Sequence, residues 1–182
     1  MILTAYSHFR KQLLIITQII CFLVLNLFSV QAQVSQEYKV KAAFLYNLGR
    51  MVEWPEGANS GDLVMCFFGE ESFGNELDSL KGKSVKGRDL KFRRDVQLET
   101  IEQCHILFIG EAEQENLEDI IFALNDLPVL TVGESDSFAE NGGIVNLPQI
   151  KGRIRIEINI KAAQRVGLKM NSKLLALAKI IE

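Results

Sequence analysis

The residues best suited to nucleophilic chemistry are two neighbours, Cys104 and His105. A thiol beside an imidazole is the pairing that activates a cysteine nucleophile. Both residues stand at the start of an apolar run typical of a strand, however, where adjacent side chains point to opposite faces. We therefore expect no catalytic dyad. The only other histidine is His8, so a histidine-rich metal site is not expected either.

The sequence also has none of the motifs that mark common catalytic or cofactor sites. It contains no phosphate-binding loop, no glycine-rich dinucleotide turn, no nucleophile elbow and no Asp-x-Asp metal loop. We predict no catalytic residues, no metal ion and no cofactor, and hence a protein that is not an enzyme.

A Gly-Glu pair follows each of three apolar runs. The pairs are Gly69-Glu70, Gly110-Glu111 and Gly133-Glu134. If the runs are parallel strands, their carboxyl ends share one rim, where ligands bind in open α/β sheets. Carboxylates from Glu70, Glu111 and Glu134 would repel phosphate and favour a cationic or zwitterionic ligand, or a basic partner surface. The alternative is that each glycine makes a turn and each acid complements the following helix.

The single tryptophan and several arginines are candidates for binding a protein partner. Trp54, next to Met51 and Pro55, could form an exposed apolar anchor, although such a residue more often covers the edge of a core. The predicted partner-binding residues lie at the end of the first helix and on a C-terminal hairpin. They are Arg50, Trp54, Arg153 and Arg155.

The first 32 residues have the layout of a secretory signal peptide. Basic residues precede an apolar stretch, Leu13 to Phe28, and a small residue stands at the predicted cleavage position, Ala32. Residues 33–182 would then form a single domain in the periplasm. A retained membrane anchor and a lipoprotein built on Cys21 are the alternatives. Bulky Ile20 argues against lipidation, and no basic cluster follows the apolar run to favour an anchor.

The exported domain would be moderately acidic. The whole chain has a net charge of −3, and loss of Arg10 and Lys11 leaves 18 basic and 23 acidic residues, a charge of −5. This balance disfavours nucleic acid as a partner. In an oxidising compartment Cys66 and Cys104 could form a disulfide, or they could remain buried thiols.

Helical and strand patterns alternate along the chain. Apolar residues at helical spacing predict a helix that is capped by Ser35, runs from Gln36 and stops near Trp54, before Pro55. Its leading apolar stripe contains Val40 and Leu48. Three continuous apolar runs predict strands buried on both faces of a parallel sheet, with a helical stripe between the second and third. The runs are Leu63–Phe68, His105–Ile109 and Val129–Val132, and the stripe is Leu117, Ile120, Ile121 and Leu124.

The remaining segments complete the predicted fold. The charged run Asp89–Val96 suits an exposed edge strand. Ile144–Leu147 and Arg153–Ile160 flank a turn and predict a C-terminal hairpin. Two short helices follow, one near Ala162–Val166 and one capped by Ser172, with Leu174, Leu175, Ala178 and Ile181 on one face. Together these elements predict an α/β fold, a three-layer sandwich with a mainly parallel central sheet, flanking helices and a C-terminal β-hairpin.

Several segments in combination resemble the YfiR family of periplasmic proteins, although each is weak alone. The resemblance covers essentially the whole chain after the signal peptide. The matching segments are Tyr38–Asn47, Val52–Pro55, Cys104–Ile109, Leu130–Glu134, Phe138-Ala139, Gly142–Leu147, Glu157–Asn159, Gly167-Leu168, Ser172–Leu175 and Leu177-Ala178.

The resemblance implies a regulator rather than an enzyme. Members of the family bind the periplasmic sensor part of an inner-membrane diguanylate cyclase and hold it inactive. An outer-membrane lipoprotein sequesters the repressor and so releases cyclic-di-GMP synthesis and biofilm growth. The resemblance also implies a homodimer. A histidine kinase is the alternative partner, and a periplasmic small-molecule sensor is the alternative function, ahead of an enzyme of unrecognised type.

The resemblance also implies a disulfide between Cys66 and Cys104, which match the family's pair in position. Forming it requires the two Cα atoms to lie within about 7 Å. A second family disulfide near the C-terminal hairpin has no counterpart, because no cysteine follows Cys104. This departure puts redox-controlled switching in doubt, and packing alone would hold the hairpin.

Overall fold

The structure is a computed structural model that describes residue 18 and residues 34–58, 60–124 and 126–181. The chain divides into two compact units, Met1–Glu37 and Tyr38–Glu182. The predicted signal peptide lies outside the described residues except for Gln18, which is helical. Among the helices of the described part of the chain, none is long and apolar enough to cross a membrane.

The first helix, α1, occupies residues 34–51. The predicted cap at Ser35 is wrong, because residue 34 is already helical. Leu48 of the predicted apolar stripe is buried, whereas Val40 is 37% exposed. The helix ends at Met51, earlier than predicted, because the next two residues form a short strand.

The other elements are short, and most of the strands join one sheet. In chain order the strands are β1 (Val52–Glu53), β2 (Leu63–Phe68), β3 (Ser84–Val85), β4 (Arg88–Arg93), β5 (Ile106–Ile109), β6 (Leu130–Gly133), β7 (Val145–Asn146), β8 (Gln149–Ile150), β9 (Arg153–Ile154), β10 (Glu157–Asn159), β11 (Lys169–Met170) and β12 (Lys179–Ile181). The later helices are α2 (Leu117–Ala123), α3 (Ile160–Arg165) and α4 (Ser172–Leu177), and 3-10 turns span Glu76–Leu80, Leu98–Gln103 and Glu111–Asn116.

The main sheet has eight strands in the order β12-β10-β7-β6-β5-β2-β4-β3. Strands β4, β2, β5, β6 and β7 run parallel, and β3 and β10 run antiparallel to their neighbours in this group. The three predicted central strands are therefore neighbours, with α2 in the crossover between β5 and β6. The prediction of a mainly parallel sheet is confirmed.

The main errors of prediction concern the edges of the sheet and the C-terminus. β4 is half exposed, as predicted, but β3 pairs with its outer side at Arg88 and Asp89, so the start of β4 is not at the edge of the sheet. The C-terminal hairpin is present but interrupted, with β7 paired to β10 and β8 to β9 at its tip. Asn171, not Ser172, caps α4, since its side chain accepts a hydrogen bond from the Leu174 N–H at 2.9 Å. Ile181 lies in β12 rather than on the face of α4.

Helices and turns cover both faces of the central strands. Because side chains alternate along a strand, Met65 and Phe67 of β2 face one core while Cys66 faces the other. The first core also contains buried residues of α1, α3 and α4. The second contains α2 and the turn at Leu98–Gln103. This arrangement is the predicted three-layer sandwich.

A disulfide joins Cys66 of β2 to Cys104, just before β5. The Cα atoms are 5.8 Å apart, and both residues are buried in the second core. The two cysteines are 38 positions apart in the sequence. The segment between them contains β3, β4 and the turn at Leu98–Gln103. The disulfide therefore fixes the connection between two neighbouring central strands.

A buried ion pair joins α1 to the residue that follows β6. The Lys41 ammonium lies 2.5 Å from a Glu134 carboxylate oxygen, and the side chains are only 3% and 6% exposed. The Tyr38 hydroxyl donates to the other oxygen of the same carboxylate at 2.9 Å. The Lys41 ammonium also lies 4.6 Å from the centre of the Tyr38 ring. Each charge thus has a polar partner inside the protein, as a buried ion requires.

Replacing Lys41 by Met should strongly destabilise the fold, because Glu134 would remain buried without its counterion. Loss of one partner of a buried pair typically costs about 3–5 kcal/mol in free energy of unfolding. The double variant Lys41→Met/Glu134→Gln should recover a large part of this loss. Urea denaturation followed by circular dichroism measures both. Equal destabilisation in the single and double variants would contradict the pairing.

Removing the disulfide by Cys66→Ala/Cys104→Ala should lower the free energy of unfolding. For cysteines 38 positions apart, the entropy lost by the unfolded chain predicts a decrease of about 4 kcal/mol. Urea denaturation of the variant, compared with the native chain before and after reduction, measures this decrease. If reduction of the native chain leaves the urea midpoint unchanged, the bond is not formed in solution.

Candidate functional site

The glycines of the three Gly-Glu pairs have packing roles. A Cβ on Gly133 would lie 2.2 Å from the Phe138 ring, and one on Gly110 would lie 2.3 Å from the Glu70 carbonyl oxygen. Gly69 has a φ of +74°, a conformation that favours glycine. Close approach and backbone conformation therefore account for the glycine at all three positions.

The three predicted rim acids follow the carboxyl ends of β2, β5 and β6, but they do not form an equivalent set. Glu70 and Glu111 are exposed, whereas the Glu134 carboxylate is buried and paired with Lys41. Glu111 begins the 3-10 turn Glu111–Asn116. The paired Glu134 contributes to packing between α1 and the sheet, so the open acidic surface at this rim is smaller than the sequence predicts.

Trp54, Arg88 and His105 form a polar cluster at the opposite edge, where the parallel strands begin. Arg88 is the first residue of β4, and His105 immediately precedes β5. The Trp54 indole N–H donates to the His105 carbonyl oxygen at 3.3 Å, and the two rings meet edge to face with centroids 6.1 Å apart. We call these three residues the amino-edge cluster.

The imidazole of His105 contacts a hydrogen-bond donor at each nitrogen. The Val64 backbone N–H donates to Nδ1 at 3.2 Å. Nε2 lies 3.1 Å from the Ala58 carbonyl oxygen and 2.6 Å from an Arg88 guanidinium nitrogen. Because the Val64 N–H can only donate and the Ala58 carbonyl can only accept, we assign the proton of the neutral ring to Nε2, facing Ala58. In this tautomer the approach of Arg88 to Nε2 is a contact between two donors and not a hydrogen bond. Burial and the positive charge of Arg88 lower the pKa of His105, while the hydrogen bond to Ala58 partly opposes them.

The guanidinium of Arg88 holds the loop between Trp54 and β2. It donates to four carbonyl oxygens, at distances of 2.8 Å to Gly61, 2.9 Å to Asp62, 3.3 Å to Ser60 and 3.5 Å to Ala58. We call residues 55–58 and 60–62 the Trp54 loop. All four acceptors in the loop are main-chain carbonyls. The Arg88 guanidinium therefore fixes the loop backbone, and these hydrogen bonds do not depend on the side chains of the loop.

Two clefts adjoin the amino-edge cluster. One, of about 330 Å³, is lined by residues that include Trp54, Lys86 and Arg88. The other, of about 470 Å³, is lined by loop residues and by Glu102 and His105. Both volumes suit a small organic molecule. Over the described ranges of the chain, no group of three His, Cys, Asp or Glu side chains is placed to bind a metal ion.

The predicted partner-binding residues lie in different environments. Trp54 is only 5% exposed, so the expectation of an exposed apolar anchor is wrong: the Trp54 ring covers the edge of the core. Arg50 is exposed near the end of α1. Arg153, in β9, and Arg155, directly after β9, are both exposed.

Sequence analysis missed Arg88 and an aromatic site on α1. No motif marks Arg88, because its partners are main-chain carbonyls that any residue provides. On α1, the Tyr46 ring lies 6.0 Å from the Arg50 guanidinium and 5.3 Å from the Lys83 ammonium. The helical spacing of Tyr46 and Arg50 could have indicated their contact, but the approach of Lys83 depends on the fold.

Comparison with one solved structure supports the α/β architecture. A conserved domain protein from Vibrio cholerae matches with a TM-score of 0.52 and 14% sequence identity, over 78% of this chain and 60% of that chain. The present chain thus spans less than two thirds of that protein, and the likeness concerns the fold alone. An ABC domain from Streptococcus pneumonia, crystallised with L-Trp, gives a TM-score of 0.49 at 10% identity, over 66% of this chain and 55% of that chain.

Comparison of the sequence with known families gives a more specific result. No curated protein matches the chain. The family model described as YfiR/HmsC-like matches residues 38–179, a range that includes the amino-edge cluster, the disulfide and the interrupted hairpin. The chain therefore belongs to the YfiR/HmsC-like family.

Proposed function

We propose that the protein binds the periplasmic sensor part of an inner-membrane signalling enzyme and holds that enzyme inactive. A diguanylate cyclase is the first candidate, so that the protein would lower cyclic-di-GMP and restrain biofilm formation. The family match over residues 38–179 is the observation on which this proposal rests. In this proposal the chain has no catalytic residue of its own and acts by occupying its partner.

The surface that we assign to the partner is the tip of the hairpin, residues 149–155. Lys151, Arg153 and Arg155 are exposed there, and Ile150 is 47% exposed. The segment contains no acidic residue, although the whole chain has a net charge of −3. Among the described residues, neither arginine forms a salt bridge with a carboxylate. A basic tip with an apolar side chain suits an acidic partner surface with an apolar centre.

Arg50 belongs to a second cationic surface, with Tyr46 and Lys83. The aromatic ring holds two cations in place, at 6.0 and 5.3 Å from its centre, and the Tyr46 hydroxyl donates to the Ser84 carbonyl oxygen. Tyrosine and arginine are enriched among the residues that contribute most to binding at protein interfaces. This surface would be available to a second partner, such as an outer-membrane lipoprotein, or to a second copy of the chain.

The clefts beside Trp54 favour one alternative function, a periplasmic sensor of small molecules. Their volumes, about 330 and 470 Å³, fall in the range of ligand sites. A ligand that binds only the folded state raises its melting temperature. The melting temperature would be measured with a panel of amino acids and nucleotides. A higher melting temperature with one chemical class, together with a pull-down that recovers no membrane protein, would favour the sensor over the repressor.

Charge reversal at the hairpin tip should abolish partner binding without unfolding the protein. The full chain, tagged at its C-terminus, would be expressed in its own bacterium, and the envelope proteins that it retains would be identified by mass spectrometry. We expect an inner-membrane protein with a cytoplasmic signalling domain, and a decrease of at least about tenfold in its recovery with Arg153→Glu/Arg155→Glu, because reversed charges would repel an acidic partner surface.

The control is Lys91→Glu/Lys161→Glu, which makes the same change in charge at two other exposed positions. It should retain the membrane protein at the native level, because neither position belongs to the hairpin tip. Equal losses in both variants would indicate an effect of total charge. Full recovery with the hairpin variant would contradict the assignment of the tip.

A further inference from the structure

We propose that Arg88 keeps the Trp54 loop closed as long as His105 is neutral, and that protonation of His105 releases this acid-sensitive latch and exposes Trp54. The inference concerns a conformational change of this chain alone. It therefore stands or falls independently of the membrane partner.

The first step is that the closed loop requires a neutral imidazole. The Val64 N–H donates to Nδ1, and the Nε2 proton faces the Ala58 carbonyl oxygen. A second proton would have to occupy Nδ1, where it would point at the Val64 N–H and replace a hydrogen bond with a contact between two donors. Protonation thus removes one of the contacts that hold the ring in place.

The second step is that the added charge would lie against an existing one. An Arg88 guanidinium nitrogen is 2.6 Å from His105 Nε2, and the same nitrogen donates to the carbonyls of Ser60 and Asp62. The guanidinium is always charged, so only its displacement can relieve repulsion from an imidazolium. Displacing it would break the hydrogen bonds that fix the Trp54 loop.

The third step concerns the charges around the pair. The other charged or titratable groups that line the two clefts or act on Arg88 are Glu53, Glu56, Asp62, Lys86 and Glu102. In the described part of the chain, no carboxylate is hydrogen-bonded or ion-paired with His105. The positive charge of an imidazolium would therefore have Arg88 as its nearest charged neighbour.

The direction of the pH effect follows from these contacts. Burial and Arg88 hold the pKa of His105 below its usual value in the closed state. A solvent-exposed histidine in the open state would titrate near its ordinary pKa of about 6.5. The open state then binds more protons than the closed state as the pH falls below this value, so acid shifts the population toward the open state. The closed state is favoured at higher pH, where both states hold a neutral ring.

Opening of the loop would change the surface around Trp54. The residue is 5% exposed and directly precedes the loop, and its indole N–H is hydrogen-bonded to His105. One cleft is lined by Arg88 and the other by His105, so their contact lies between the two. Separation of the pair would join the clefts and expose an aromatic side chain. In acid, Trp54 would thus become the exposed apolar anchor that it is not in the closed state.

The sequence makes this inference unusually easy to test. Trp54 is the only tryptophan, and His105 is the only histidine after His8. Tryptophan fluorescence of the exported native chain therefore reports on one position. We expect a single shift to longer wavelength, with greater access of acrylamide to Trp54, between about pH 8 and pH 5. The His105 NMR signal should titrate with the same midpoint, below about 6.5.

Two variants separate the latch from other effects of acid. His105→Gln has no titratable ring, so Trp54 should remain protected over the whole pH range. Glu102→Gln removes a nearby acid from the same cleft and should retain the fluorescence step. Persistence of the step in His105→Gln, or its loss in Glu102→Gln alone, would overturn the proposal.

Three measurements on the native chain, namely Trp54 fluorescence, the His105 NMR signal and circular dichroism, need no variant to fold. Far-ultraviolet circular dichroism should remain constant across the fluorescence step, because only the loop moves. Absence of a step, loss of secondary structure at the same midpoint, or midpoints for Trp54 and His105 that differ by more than about half a pH unit would each overturn the latch.

Discussion

The central parallel strands β2, β5 and β6 are buried on both faces along most of their length, and this burial is the constraint on which the rest of the fold depends. These strands contain no charged residue, so charged groups lie at the edges where the strands begin and end. At the carboxyl edge, Glu134 is paired with Lys41 of α1 and the glycines allow close packing. At the amino edge, Arg88 satisfies the carbonyls of the Trp54 loop. Three of the titratable groups considered for chemistry thus have partners inside the protein: Cys104 is in the disulfide, His105 is hydrogen-bonded to the backbone, and Glu134 is paired with Lys41. Exposed cations and the two clefts beside the amino-edge cluster remain accessible to other molecules.

The central architecture was predictable because burial on both faces leaves a simple signal. The runs at Leu63, His105 and Val129 are continuous and apolar, and each becomes a parallel strand of the sheet. The edges were less predictable. β3 is a strand of two residues that exists because it pairs with β4, and β12 replaces the end of a predicted helix because it pairs with β10. The pairing of β12 with β10 joins segments that are distant in the sequence, so no local pattern records it. β3 and β4, in contrast, form a hairpin across Lys86-Gly87, a local turn that the sequence analysis did not recognise.

The candidate site was predicted least well, for a related reason. Trp54 and His105 are distinctive residues, but their roles depend on Arg88, whose partners are main-chain carbonyls. The Gly-Glu pairs illustrate the opposite error. Their repetition suggested a shared ligand rim, whereas Gly133 accommodates Phe138 and Glu134 neutralises Lys41. In both cases the decisive partner is distant in the sequence, so only the fold identifies it. The family resemblance depended on many weak segments together, and the match over residues 38–179 confirms it.

The most direct test of the regulatory account is the level of cyclic-di-GMP in the bacterium that produces this protein. The measurement compares cells with the gene, cells without it, and cells in which the native chain is restored. A repressor of a diguanylate cyclase predicts that cyclic-di-GMP rises when the protein is removed and returns to the original level when it is restored. An unchanged level in cells that lack the protein, under conditions where those cells normally make it, would contradict the account.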